Sequence, residues 1–260
     1  MYWRCFVGVL TREMLKFWQQ RTRLLSALVR PLLWLFVFAA GFRSALGLSM
    51  TEPYESYILY EEYIVPGLAA MIVLFNSMQS SLSMVYDREM GSMKVLLLSP
   101  VPRPFLLGSK LIANTLVSAI QVYIFFAFAL LLDVRLSALG YVYALPVIAL
   151  LSLFLGSLGL LLANYIKQLE NFAGVMNFVI FPLFFLSSAL YPLWKMREAS
   201  EWLYQICVFN PFSSGVELLR FALYEKLEHN ALAVVLCLTA ITFIFAVRSF
   251  RPKASKGRFS

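Results

Sequence analysis

Six long apolar stretches divide the chain, near residues 29–48, 64–85, 108–132, 141–163, 174–194 and 230–248. Each is about 20 residues or slightly more, and at 1.5 Å rise per residue that length crosses a hydrocarbon core about 30 Å thick. A segment in that core must satisfy its own backbone hydrogen bonds, so the pattern predicts six transmembrane helices. Ahead of them, Phe6, Val9, Leu10, Met14 and Phe17 recur at roughly helical spacing among Arg4, Arg12 and Lys16. That spacing predicts an amphipathic helix lying in the headgroup plane, within residues 1–28. Residues 195–229 are also amphipathic, through Trp202, Leu203, Tyr204, Phe209, Phe212, Leu218, Leu219 and Phe221. They predict a segment that lies on or dips into the membrane interface, where aromatic rings are favoured.

Composition agrees with this layout. Hydrophobic residues make up 61% of the 260 and charged residues 14%, against about 45–50% and 25% in a soluble domain. A soluble globule could not bury that much apolar surface, and a disordered chain shows the opposite bias. The expected fold is therefore an all-α, multi-pass integral membrane protein with one transmembrane domain over 29–248. The formal charge of +8 matters through its distribution. Arg4, Arg12, Lys16, Arg21 and Arg23 precede the first span, and Arg88, Lys94 and Arg103 join the second to the third. Lys167 lies between the fourth and fifth, and Arg251, Lys253, Lys256 and Arg258 form a basic tail over 249–260. The first loop on the other side carries Glu52, Glu55, Glu61 and Glu62 without a base. The bias of Lys and Arg towards the cytoplasm places both termini inside.

Several chemistries are disfavoured. The three cysteines, Cys5, Cys207 and Cys237, are far apart and form neither a disulfide framework nor a metal-ligand spacing. With His229 as the one histidine, a zinc site or a Ser-His-Asp triad would rest on it alone. An intramembrane enzyme would need clustered His, Asp or Glu within the spans, and an ion-coupled transporter or channel would need buried carboxylates there. None lies at a span centre. Arg43, about a turn from the outer end of the first span, reads either as a side chain that reaches up to the interface or as a contact for substrate or lipid phosphate.

Two patterns carry candidate chemistry. Residues 85–104, VYDREMGSMKVLLLSPVPRP, place Asp87-Arg88-Glu89 directly after the second span, then Gly91, an apolar run from Val95 to Leu98, and a break at Ser99-Pro100. Pro100, Pro102 and Pro104 stop helix continuation. The pattern predicts a short cytoplasmic helix, either a connector or an element that a partner surface grips. The second pattern is polar. Asn76, Ser80, Ser83 and Asp87 form one stripe, Asn114, Ser118 and Gln121 another, and Asn177 and Ser188 lie about three turns apart on the fifth span. Polar atoms should not face lipid, so these residues either line a path or join helices. The small residues Ser152, Gly156, Gly159 and Ala163 read as a packing seam.

Asp-Arg-Glu-x-Gly followed by Leu-x-x-Ser-Pro resembles the permease subunit of ABC-2 type exporters. A second match lies at Pro192, Trp202, Asn210-Pro211 and Arg220, which resembles the family's segment before the last helix. The likeness is strongest to the drug-resistance and nodulation-factor export branch. The resemblance implies a permease that works as a homodimer in a bacterial cytoplasmic (inner) membrane and docks separate ATP-binding subunits. Asp87, Arg88, Glu89, Gly91, Lys94, Leu97, Ser99 and Pro100 would then lie in or beside a coupling helix. Asn76, Ser80, Asn114, Gln121, Asn177 and Ser188 would be the pathway candidates. Pro192, Trp202, Asn210, Pro211 and Arg220 would belong to re-entrant outer helices. A phosphate-binding loop needs Gly-x-x-x-x-Gly-Lys-Ser/Thr, and Gly108-Ser109-Lys110 lacks that core. ATP and Mg are thus expected on the partner, with no catalytic residue, metal or cofactor in this chain. Sparse polar stripes and apolar walls favour a hydrophobic or amphiphilic cargo. A lipid-linked glycan exporter is the first alternative, and an ion-coupled transporter or channel the second.

Overall fold

A computed structural model of the chain describes residues 2–19, 28–37, 60–91, 101–134, 136–166 and 168–250. Among the described residues there are helices and turns but no strand. The helices, numbered in chain order, are α1 (Tyr2–Gln19), α2 (Leu28–Val37), α3 (Tyr60–Glu89), α4 (Arg103–Leu131) and α5 (Ala138–Tyr165). They continue with α6 (Leu169–Phe185), α7 (Leu193–Ala199), α8 (Glu201–Phe209), α9 (Pro211–Leu223) and α10 (His229–Ser249). Four of them, α3, α4, α5 and α10, are long and apolar enough to cross a bilayer. The pair α8 and α9 is bent by 76° at a short break, as in a broken span or a re-entrant loop. The sixfold count predicted from the sequence also needs α2 and α6, which are shorter.

At the centre, α5 packs on α3, α4, α9 and α10, while α3 also packs on α4, α6 and α9. The core joins Leu68 and Ile72 of α3, Phe125 of α4, Ile148 and Leu151 of α5, Phe184 of α6 and Leu219 of α9. Among lipid-solvated helices close packing replaces water exclusion as the main attraction, so small residues mark the seams. Two glycines show this. A Cβ on Gly67 would collide with the Ala189 carbonyl, and one on Gly140 with the Leu223 carbonyl. Large apolar side chains left exposed, such as Ile112, Leu116 and Ile120 on α4 and Ile241, Ile244 and Phe245 on α10, form faces suited to lipid.

Element ends differ from the sequence expectation in two places. The fifth predicted stretch, 174–194, is helical over Leu169–Phe185. It ends early because Ser187 Oγ donates to the Phe184 carbonyl (2.6 Å) and accepts from Ala189 N (3.2 Å), turning the chain before Pro192 opens α7. It starts early because Glu170 occupies its first turn, where a carboxylate favours the helix N-terminus. The second difference is at residues 87–89, which are the last turn of α3 rather than the start of a separate helix.

Candidate functional site

The last turn of α3 splits the Asp-Arg-Glu cluster three ways, because successive helix residues point about 100° apart. Asp87 faces α1. Its Oδ2 accepts from Arg12 Nη2 at 2.9 Å and from Lys16 Nζ at 3.3 Å. The same ammonium also reaches Ser83 Oγ at 3.4 Å. The Asp87 side chain is 6% exposed, so its charge is matched by cations rather than by water: Arg12 and Lys16 in contact, with the field of the buried Lys110 of α4 added to theirs. Arg88 turns the other way. Its Nη2 donates to the carbonyl of Ala163 and, at 2.7 Å, to that of Ile166. These are last-turn acceptors of α5, where a cation suits the negative end of the helix. Glu89 is exposed. Gly91 has φ of +76°, the left-handed conformation that ends α3. Lys94, Leu97, Ser99 and Pro100 lie outside the described residues, as does Arg43.

A third tie completes this end of the bundle. Asn164 of α5 donates to the Ala246 carbonyl (3.0 Å) and to Ser249 Oγ (2.9 Å) of α10. Three polar clamps therefore run from α1 through α3 and α5 to α10.

Deeper in the bundle the two stripes meet. Asn76 Nδ2 donates to Ser118 Oγ at 2.7 Å and to Asn114 Oδ1 at 3.3 Å. Asn114 Nδ2 donates to Ser77 Oγ and Ser152 Oγ, both at 3.1 Å. Asn76 and Asn114 thus tie α3, α4 and α5 together. Ser80, a turn along α3, lines a small chamber with Glu13 and Lys16 of α1. Gln121 is buried, and its Oε1 receives no hydrogen bond from the described residues. Asn177 is exposed on α6, beside Phe178 (79% exposed) and Phe181 (52%).

At the opposite end Arg220 is the anchor. It is 2% exposed, pairs with Glu217 and donates through Nη2 to the Ser188 carbonyl at 2.8 Å. Its guanidinium lies 4.0 Å from the centre of the Tyr63 ring, a cation–π distance. Tyr63 donates to the same Ser188 carbonyl (3.0 Å), and Tyr60 to that of Leu190 (2.6 Å). Ser188 is therefore part of this latch rather than of the α3–α4–α5 network. Asn210 caps α9 by accepting from Phe212 N at 2.9 Å and holds the end of α6 through the Leu183 and Leu186 carbonyls. Pro211 takes the first position of α9, where its missing N–H costs nothing. Pro192 precedes α7, and Trp202 is 82% exposed on α8.

Sequence reasoning did not find Arg12 and Lys16 as the partners of Asp87, nor Tyr60 and Tyr63 as partners of the latch. The i,i+4 spacing of Arg12 and Lys16 was the visible signal, since it puts two cations on one face of α1. No spacing rule names the carboxylate they meet, 75 and 71 residues further along the chain.

The family model described as ABC-2 type transporter matches residues 4–224, which takes in the Asp87 and Arg88 clamps, the Asn76–Asn114 network and the Arg220 latch, and stops before α10. The chain is 30% identical over 203 residues to a putative transport permease ycf38 of Cyanophora paradoxa, covering 76% of this chain and 67% of that protein. A second ycf38 protein, from Porphyra purpurea, is 26% identical over 228 residues, covering 86% and 75%. A probable multidrug ABC transporter permease, YbhR of Escherichia coli, is 27% identical over 217 residues, covering 77% and 55%. The chain, a multi-pass membrane permease, belongs to the ABC-2 type transporter family.

Proposed function

We propose that this chain is the membrane subunit of an ATP-driven exporter, acting as a dimer whose two protomers each dock a separate ATP-binding subunit. On this reading α2, α3, α4, α5, α6 and α10 are the six spans. The end bearing Asp87 faces the cytoplasm, and the bent α8–α9 pair lies in the outer half of the membrane. The bilayer is a bacterial cytoplasmic membrane. The observation that carries the reading is the division of labour in the last turn of α3. Asp87 and Arg88 fasten that turn to α1 and α5, which leaves Glu89 as the exposed acid of the predicted coupling segment. A push on that segment would reach α1, α5 and, through Asn164, α10, because polar ties join them. The partner supplies nucleotide chemistry, and this chain supplies the path.

The exposed face of α6 supports the dimer. Asn177 would be costly against lipid, and a second copy removes that cost. An amphiphilic cargo fits the apolar walls and agrees with the printed name of the E. coli relative, a multidrug transporter permease.

The test is co-reconstitution with the cognate ATP-binding subunit. Glu89→Lys should abolish cargo-stimulated ATP hydrolysis and transport while leaving membrane insertion and folding intact. Undiminished transport by this variant would remove the coupling assignment.

A further inference from the structure

An open apolar groove runs between α1 and the first three turns of α4. It holds about 400 Å³ and is lined by Tyr2, Trp3 and Phe6 of α1 and by Phe105, Gly108 and Ile112 of α4, a volume in the range of small-molecule sites. Tyr2 and Phe105 meet edge to face across it with ring centroids 5.3 Å apart, and Trp3 stacks on Phe6 at 5.8 Å. Gly108 has open space where a Cβ would stand, so the α4 wall is recessed between Phe105 and Ile112.

The lining is built for hydrocarbon. Ser109, which also borders the groove, spends its hydroxyl on the Phe105 carbonyl at 2.8 Å. The other polar side-chain groups are the Tyr2 hydroxyl and the Trp3 indole N–H, on rings favoured at headgroup level. Ile112 begins an exposed row that continues through Leu116 and Ile120, so the groove opens lengthwise onto the lipid-suited face of α4. From Phe105 to Leu116 the path is about 16 Å along the helix, and one leaflet's share of the hydrocarbon core is about 15 Å.

Charge selects the headgroup. Arg4 directly follows Trp3, and Arg103 lies two residues before Phe105. Both are exposed, and neither enters an ion pair among the described residues. The remaining cations of these segments, Arg12, Lys16 and the buried Lys110, share the carboxylates of Glu13 and Asp87. Arg4 and Arg103 are therefore the two free positive charges that flank the groove.

We propose that the groove binds one anionic phospholipid, with an acyl chain laid along Phe6, Gly108 and Ile112 and the phosphate beside Arg4 and Arg103. The lipid wedges α1 against α4 at the end away from the Asp87 clamp. This inference needs a membrane protein but no partner ATPase, so it stands or falls apart from the transport reading.

The experiment is native mass spectrometry of the full chain released from nanodiscs holding equal amounts of phosphatidylglycerol and phosphatidylcholine. An arginine near an anionic lipid is worth roughly fivefold in affinity, so the unmodified chain should retain phosphatidylglycerol on the order of tenfold over phosphatidylcholine. Replacing both Arg4→Gln and Arg103→Gln should bring that ratio to about one. Gly108→Leu, which projects into the groove, should remove the retained lipid of either kind. Gly8→Leu, on an equally open position outside the groove, should leave it in place. A melting scan in detergent checks the fold of each variant, and the exposed arginine pair carries the test if Gly108→Leu misfolds. Equal retention of the two lipids by the unmodified chain would overturn the proposal, as would a preference that survives in the double arginine variant or in folded Gly108→Leu. A Gly108→Leu chain that lost a dimer mass rather than a lipid would give the groove to a second copy and overturn it too.

Discussion

Single side chains at the two ends of α3 are engaged differently, and substitutions should separate them. Asp87→Asn keeps the shape but leaves Arg12 and Lys16 facing a neutral amide. We expect a loss of about 1–3 kcal/mol, discounted because both cations are about a third exposed or less. Protease cleavage within α1 should become faster while the rest of the bundle stays protected. Arg220→Met should cost more, about 3–5 kcal/mol, because it removes one partner of a buried pair and leaves Glu217 behind. A thermal unfolding scan in detergent measures this, and Arg220→Lys should recover only part of the loss, since a single ammonium cannot serve the Ser188 carbonyl, Glu217 and the Tyr63 ring together. Arg220 and Asn210 were legible in the sequence as motif residues, and the structure adds what each one touches. Asp87 was legible as the end of a polar stripe and, with Arg88, as part of a charged cluster. Their opposed directions depend on where α3 ends, and that is a matter of phase, which composition does not encode.

At the scale of the helix, apolar runs of about 20 residues identified α3, α4, α5 and α10 within a few residues of their ends. The run at 174–194 misled, because a turn made by Ser187 and its neighbours is as apolar as the helix before it. Hydropathy sees the solvent a segment prefers and not the backbone path it takes. The seams were hidden for the same reason. Gly140 stands out in no sequence pattern, yet a side chain there would strike the Leu223 carbonyl. Gly140→Val should push α9 off α5 and cost about 1–3 kcal/mol as an overpacked contact. By contrast Gly174, with open space around its Cβ position, should accept Ala with little change in melting temperature. The pair of variants distinguishes a packing requirement from a general need for glycine.

For the molecule as a whole, the charge asymmetry between loops pointed to a basic end but not to the clamps that Arg12, Lys16, Arg88 and Asp87 form there. The sequence could not show which spans a second protomer would cover, because no chain carries the other half of a self-complementary surface in a separate pattern. Crosslinking tests the proposed dimer face. In a background without Cys5, Cys207 and Cys237, Asn177→Cys should form a disulfide-linked dimer under mild oxidation, while Ile112→Cys on the lipid face of α4 should stay monomeric. Exclusive monomer at position 177 would place the second copy elsewhere. One feature bears on how this chain tolerates change. Tyr60 and Tyr63 engage their acceptors at the top of α3, and Asp87 and Arg88 engage theirs at its base. Inserting a single alanine midway would rotate one set by about 100° against the other. The rod is keyed at both tips like a double-ended wrench, so its length is fixed more strictly than its letters, and a one-residue indel should be lethal where many point changes are silent.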